Sequence, residues 1–89
     1  MIKNSKATYI IYVGVFDGHG GSGCASYVAR NLHNKIAKHL EANNVSGLNE
    51  ECGKTLVQSF LEVEQEFSVI ATKMNDTSGT CAAIALITT

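Results

Sequence analysis

One stretch constrains this chain more than any other: Tyr9-Ile10-Ile11-Tyr12-Val13-Gly14-Val15-Phe16, cut off by Asp17-Gly18-His19-Gly20-Gly21. β-Branched and aromatic residues follow one another there without polar alternation, the pattern of a strand buried on both faces. From Ser22 the period becomes helical. Ala25, Val28, Leu32, Ile36 and Leu40 recur every three or four residues, while Lys35, Lys38 and Glu41 lie away from the centre of that stripe. Asn43-Asn44-Val45-Ser46-Gly47 supplies the chemistry of a turn. Asn49 is a good N-cap for a second helix, with Glu50 and Glu51 favourably placed in its first turn. Leu56, Phe60, Val63, Phe67 and Ile70 form its apolar stripe, and Glu62, Gln65 and Glu66 its solvated side. After a polar connection over 72–78, Gly79 to Ile87 reads as another strand buried on both faces. The order strand, helix, helix, strand predicts an α/β, layered α+β arrangement in which two antiparallel helices cover one face of a sheet. Two strands do not make a stable sheet, so both strands want further partners.

Composition narrows the class. A chain of 89 residues is one small domain or a piece of a larger one, since domains commonly hold roughly 100–150 residues. With 45% hydrophobic and 17% charged residues and no proline, it is neither disordered, coiled-coil nor collagen-like. Seven Lys and Arg against eight Asp and Glu leave a net charge of −1, without the basic face that nucleic acid requires. Lys3 and Lys6 ahead of an apolar run faintly resemble a secretory leader, but Asp17 stands where small neutral residues belong. The run is also far short of the about 20 apolar residues of a membrane span, so a cytoplasmic or nuclear protein is expected. Cys24, Cys52 and Cys81 include no C-x-x-C pair and read as small buried hydrophobes in a reducing compartment. A zinc site built from them with His33 or His39 lacks finger-like spacing.

The distinctive chemistry sits between the first strand and the first helix. Gly18-x-Gly20-x-x-Gly23 matches the dinucleotide-binding expression, yet the stretch after it is helix and polar turn, not the second strand such a unit needs. No lysine follows the glycines, so phosphate binding of the Walker type fails as well, and nucleotide binding stays a minor alternative. Asp17-Gly18 suits a tight hairpin turn, but a helix follows where a strand should. There remains an acidic residue at the mouth of a strand, followed by backbone with little side-chain bulk. A carboxylate and a neighbouring carbonyl are hard oxygen ligands suited to Mg²⁺ or Mn²⁺, and His19 could act as acid or base beside them.

Val15-Phe16-Asp17-Gly18-His19-Gly20-Gly21 resembles the signature of the metal-dependent protein phosphatase 2C family. Ser22, Ala25, Tyr27-Val28-Ala29 and Leu32 are similar to that family's next helix, and Phe60-Leu61 with Phe67 to its second helix. Ser78-Gly79-Thr80-Cys81-Ala82 resembles its Ser-Gly-Thr-Thr-Ala strand entry, with Cys81 in place of a threonine. The likeness runs from about residue 9 to residue 89, and residues 1–89 are expected to form part of one catalytic domain. The resemblance implies a serine/threonine phosphatase acting on phosphoproteins, built as a β-sandwich flanked by antiparallel helix pairs. It implies that Asp17 bridges two Mg²⁺ or Mn²⁺ ions, that the Gly18 carbonyl binds one of them, and that a bridging water attacks phosphorus directly. His19 matches the proposed acid that protonates the departing oxygen. The family's upstream Arg and acidic ligand, and its downstream Asp-Gly and Asp-Asn ligands, have no counterpart here. The chain therefore resembles the N-proximal part of such a domain, inactive alone, with the remainder of the domain or a protein partner expected over its strand edges. A phosphatase-like module that binds without catalysis is the alternative.

Overall fold

The computed structural model describes residues 2–3, 9–45 and 47–88; Ser46, part of the expected turn, lies outside them. The element order is β1 (Ile2–Lys3), β2 (Tyr9–His19), α1 (Gly23–Ala42), α2 (Glu50–Met74) and β3 (Gly79–Thr88). The strands form one antiparallel sheet in the order β1-β2-β3, with Ile11 opposite Ile87, Val15 opposite Ala83 and Asp17 opposite Cys81. The mixed strand–helix–helix–strand architecture is as expected, and β1 is added to it. Two residues carry no periodicity, so β1 left no trace in the sequence pattern.

The first helix follows its stripe. Val28, Leu32, Ile36 and Leu40 are all buried and pack with Ile10, Val45, Cys52 and Val63, flanked by Tyr12, Phe16, Ile84 and Leu86 of the sheet. The helix ends in a left-handed residue, Asn44 (φ 54°). The Val45 amide donates to the Leu40 carbonyl (3.0 Å) and the Asn44 amide to that of Glu41 (3.1 Å). Val45 and Leu40 are themselves buried, completing the hydrophobic contact that accompanies this kind of helix ending. Asn49 caps α2 as expected, its side chain accepting from the Cys52 amide (3.0 Å).

Helix α1 packs on the sheet and α2 packs on α1. That layering explains two differences from the sequence pattern. The line of α2 buried against α1 is Cys52, Thr55, Ser59 and Val63, which shares only Val63 with the expected apolar stripe, while Leu56 and Phe60 pack half-buried against the same core. Thr55 and Ser59 tolerate burial because their hydroxyls donate to the Glu51 and Thr55 carbonyls (both 2.8 Å). Phe60 and Phe67 are only half-buried, facing a groove of about 430 Å³ between α2 and β3 that Cys24, Val28, Val63 and Ala82 also line. Polar clips join the helices along their antiparallel seam: Lys35 Nζ and Tyr27 Oη donate to the two oxygens of Glu66 (2.5 and 3.1 Å), and His39 Nε2 lies 2.5 Å from Glu62 Oε2. The Lys35 ammonium, followed by the Tyr27 hydroxyl, holds the Glu66 carboxyl below its ordinary range.

The second difference concerns the strands. Only the face carrying Ile10, Tyr12 and Phe16 is covered by a helix. On the other face Ile11, Val13, Val15 and Ile87 are 37%, 51%, 65% and 53% exposed. Among the described residues one helical layer covers only one side of the sheet, so the strands are buried on one face and still want a partner on the other. The described residues thus hold one sheet and one helix pair. Among them, no helix is long and apolar enough to cross a membrane. The cysteines divide as well: Cys52 is buried, Cys24 half-buried and Cys81 exposed on the open face, all of them free thiols.

The layering sets a stability prediction. Ile36 is fully buried among α1, α2 and the sheet, so Ile36→Ala should cost about 2–5 kcal/mol. Val57 is 60% exposed, and Val57→Ala should stay within about 0.5 kcal/mol of the parent in a urea unfolding curve. Equal effects of the two would contradict the placement of the core.

Candidate functional site

Asp17, Gly18 and His19 are the last three residues of β2, paired with Cys81, Thr80 and Gly79 of β3. The strand therefore continues past its apolar run and carries its polar end out beside the helix layer. Because side chains alternate along a strand, Asp17 and His19 share the open face with Val13 and Val15, roughly 7 Å apart along the backbone. Both are exposed. The Asp17 carboxylate makes no hydrogen bond or ion pair with the described residues, while its main-chain carbonyl accepts from Thr80 Oγ1 (3.1 Å). Among the described residues the main chain of Asp17 is engaged and its carboxylate is not.

His19 lies across the strand on Gly79. A Cβ at residue 79 would stand 2.5 Å from His19 Nε2 and 3.1 Å from Cε1, so a side chain there would displace the ring from its present position. The chain then reverses through Gly20 (φ 68°) and Gly21 (φ 122°), conformations that L side chains rarely adopt. Gly18 lies close under the first turn of α1, where a Cβ would meet that of Ala25 at 3.1 Å. Strand end, turn and helix start thus lie in contact with one another while their outer side stays open to solvent.

An Asp carboxylate and a main-chain carbonyl next to each other are the donor chemistry of a Mg²⁺ or Mn²⁺ site, and their exposure leaves room for the waters such ions retain. The fit is partial. Among the described residues no group of three His, Cys, Asp or Glu side chains could enclose an ion. Asp17 and Gly18 can supply two of roughly six oxygen positions.

A family-wide sequence comparison described as "Protein phosphatase 2C" matches residues 1–89, the whole chain. The chain belongs to the protein phosphatase 2C family. It is 36% identical over 78 residues to a probable protein phosphatase 2C of Caenorhabditis elegans, covering 85% of this chain and 20% of the worm protein. It is 33% identical over 87 residues to probable protein phosphatase 2C 14 of Arabidopsis thaliana, covering 98% of this chain and 17% of the plant protein. The integrin-linked kinase-associated serine/threonine phosphatase 2C of Homo sapiens is 30% identical over 64 residues, 72% of this chain and 16% of the human protein. The chain thus spans about a fifth or less of the length of these relatives.

In this protein phosphatase 2C segment the structure also brings to the site two residues that the sequence reading did not place there. Asp76 and Ser78, in the connection between α2 and β3, reach the start of α1. The Cys24 amide donates to Ser78 Oγ (2.9 Å), and the Ser78 amide donates to Asp76 Oδ1 (2.8 Å). These bonds from Ser78 hold the Asp76 carboxyl below its ordinary range. Ser22, the N-cap residue of α1, makes no capping bond with its own side chain, so the cap comes from 54 residues away. The Asp-x-Ser spacing of an Asx turn was the available signal, but it names no distant partner. Burial, then the Asp76 charge, pushes the Cys24 thiol up from its ordinary range, although it stands at a helix start.

Proposed function

We propose that this chain is the N-proximal part of a Mg²⁺- or Mn²⁺-dependent phosphatase that hydrolyses phosphoserine and phosphothreonine in proteins. The observation that carries the reading is the position of Asp17, Gly18 and His19 at the solvent-open end of β2, with the Asp17 carboxylate unengaged by the described residues. The names of the relatives support the substrate class. Two divalent ions, when bound, supply the charge that lowers the pKa of a water molecule and clamps an in-line displacement at phosphorus. Asp17 would hold them with its carboxylate and Gly18 with its carbonyl. Thr80, by fixing the Asp17 carbonyl, keeps the strand end from twisting away. His19, on the same face as Asp17, is placed to give a proton to the serine or threonine oxygen as it leaves. Its ring rests on Gly79, which limits where the proton is delivered.

The test is a comparison of lengths. The isolated 89-residue chain, incubated with a phosphopeptide and millimolar Mn²⁺, should release no phosphate above background, because two oxygen donors cannot hold two six-coordinate ions. A complete domain carrying this segment should release it, and EDTA should stop it. Phosphate release by the short chain that tracks with the protein would show that residues 1–89 suffice. A metal-independent complete domain would overturn the mechanism. The open face of Ile11, Val13, Val15 and Ile87 favours a second reading, a phosphatase-like module that docks on a partner without catalysis. Under that reading the complete domain releases no phosphate with any divalent ion.

A further inference from the structure

The charges of the helix pair are unevenly divided. Helix α1 carries Arg30, Lys35 and Lys38 and has a single carboxylate, Glu41, near its end, whereas α2 carries five glutamates against Lys54 and Lys73. Lys35 is committed to the seam, its Nζ 2.5 Å from Glu66 Oε2. Arg30 and Lys38 are exposed and make no ion pair with the described residues. Arg30, Asn34 and Lys38 follow one another at four-residue intervals, so they form one line along the outer side of α1. A polar cleft of about 160 Å³ opens beside that line, bounded by Asn31, Asn34, Lys35, Lys38 and Glu66. Asn31 is anchored there, its Nδ2 donating to the Tyr27 carbonyl (2.7 Å). Asn34 is exposed and makes no hydrogen bond with the described residues. Asparagine is a weaker helix former than alanine or lysine, so neither propensity nor packing accounts for Asn34 in mid-helix.

We propose that the line of Arg30, Asn34 and Lys38 is a docking strip for an acidic stretch of the phosphoprotein substrate, held extended along α1. The sign of the charge selects the partner: two cations without an ion pair attract carboxylates and repel a basic segment. Two cations are too few for a nucleic-acid backbone. The spacing fits an extended chain. From Arg30 to Lys38 the helix rises about 12 Å, and four residues of extended peptide cover about 13 Å. Carboxylates four positions apart therefore meet the two cations in turn. The peptide residue midway between them, on the same side of the peptide, falls opposite Asn34, whose amide both donates and accepts. Glu66 in the cleft and Glu41 beyond Lys38 repel acids displaced from that register. Arg30 and Lys38 lie about 10 and 22 Å along α1 from Gly23, which extended peptide covers in about three and seven residues. The acidic positions thus stand at least that far from the phosphorylated residue. The inference deepens the reading of this chain as part of a phosphatase and rests on it for calling the docked segment a substrate.

The experiment follows, on the full-length protein at low ionic strength, the fluorescence anisotropy of a labelled decapeptide with glutamate at every second position. Its counterpart carries glutamine at those positions. The acidic peptide should bind, and the glutamine peptide about 10-fold more weakly. Arg30→Gln combined with Lys38→Gln should weaken the acidic peptide by about 5–10-fold, since each exposed ion pair contributes a few-fold at most. Arg30→Glu combined with Lys38→Glu should weaken it further, and the glutamine pair supplies the measurement if this variant does not fold. In about 1 M salt, where the Debye length falls to about 3 Å, the differences should vanish. The KM for a phosphoserine peptide bearing the acidic stretch should rise by the same factor, with kcat and the hydrolysis of p-nitrophenyl phosphate unchanged. A Lys38 that serves only the dipole of α1 would lower the melting temperature and leave binding and KM where they were, against the proposal. Equal binding by parent and variants, or of the two peptides, would overturn it. Displacement of the acidic peptide by inorganic phosphate as effectively as by unlabelled peptide would assign the strip to a lone anion and overturn it too. Anisotropy needs no catalysis. Binding that the variants lose, in a protein that releases no phosphate with Mn²⁺, would sink the phosphatase reading and uphold the strip as an acidic-peptide site.

Discussion

Asp17→Asn in a complete catalytic domain should abolish most phosphate release while barely moving the unfolding curve. Asparagine has the shape of aspartate and serves the same turns, so β2 can end as before. The bond from Thr80 is to the main-chain carbonyl of residue 17, and the ladder to Cys81 is backbone as well. The carboxylate itself is bonded to nothing among the described residues, so its loss removes a charge without breaking a structural contact. Loss of one preorganised electrostatic group at a reacting centre commonly costs on the order of 10²–10³-fold in rate. Exposed substitutions of this kind shift stability by no more than about 0.5 kcal/mol. The measurement pairs phosphopeptide turnover at saturating Mn²⁺ with a circular dichroism melt. Near-normal turnover would mean that Asp17 is in the loop for its turn geometry only.

The second large effect separates two roles of His19. A serine or threonine oxygen leaves poorly unless it is protonated, whereas an aryl phosphate departs as a stabilised phenolate. General acid help is worth roughly 10²–10⁴-fold, so His19→Ala should lose a factor of that order on a phosphoserine peptide and far less on p-nitrophenyl phosphate. The packing of the ring on Gly79 defines the competing outcome. If His19 serves to hold the two strand ends together, its removal loosens the loop and both substrates slow by the same factor. Equal losses would therefore reject the proton-donating role.

Much of the fold was legible along the chain, and the failures have a common origin. Val28, Leu32, Ile36 and Leu40 announced the buried side of α1, and Asn49 the start of α2, because a stripe or a cap depends on neighbours within one or two turns. The buried line of α2 departs from its apolar stripe because, among the described residues, the helix packs on α1, which buries Cys52, Thr55 and Ser59 beside Val63 and leaves Phe60 and Phe67 half-buried. The strands looked fully buried because their composition is apolar throughout, and composition does not say how many layers are present. The site divides in the same way. Asp17, Gly18 and His19 are contiguous and could be named from the sequence. Asp76 and Ser78 lie on the far side of two helices, and nothing short of the folded hairpin brings Ser78 to Cys24.

The open face of the sheet runs without a break from Ile11 through Val13 and Val15 to Asp17. Any layer laid over the valines would end beside a carboxylate, and would replace water there with a medium of lower dielectric constant. Two unit charges 4 Å apart attract by about 1 kcal/mol in bulk water and about 4 kcal/mol at an effective dielectric constant of 20. Closing the hydrophobic face would thus strengthen the hold of Asp17 on a cation, and by reciprocity a cation at Asp17 would favour closure. If Asp17 holds a cation as proposed, covering of the sheet and charging of the site would be coupled equilibria, each favouring the other.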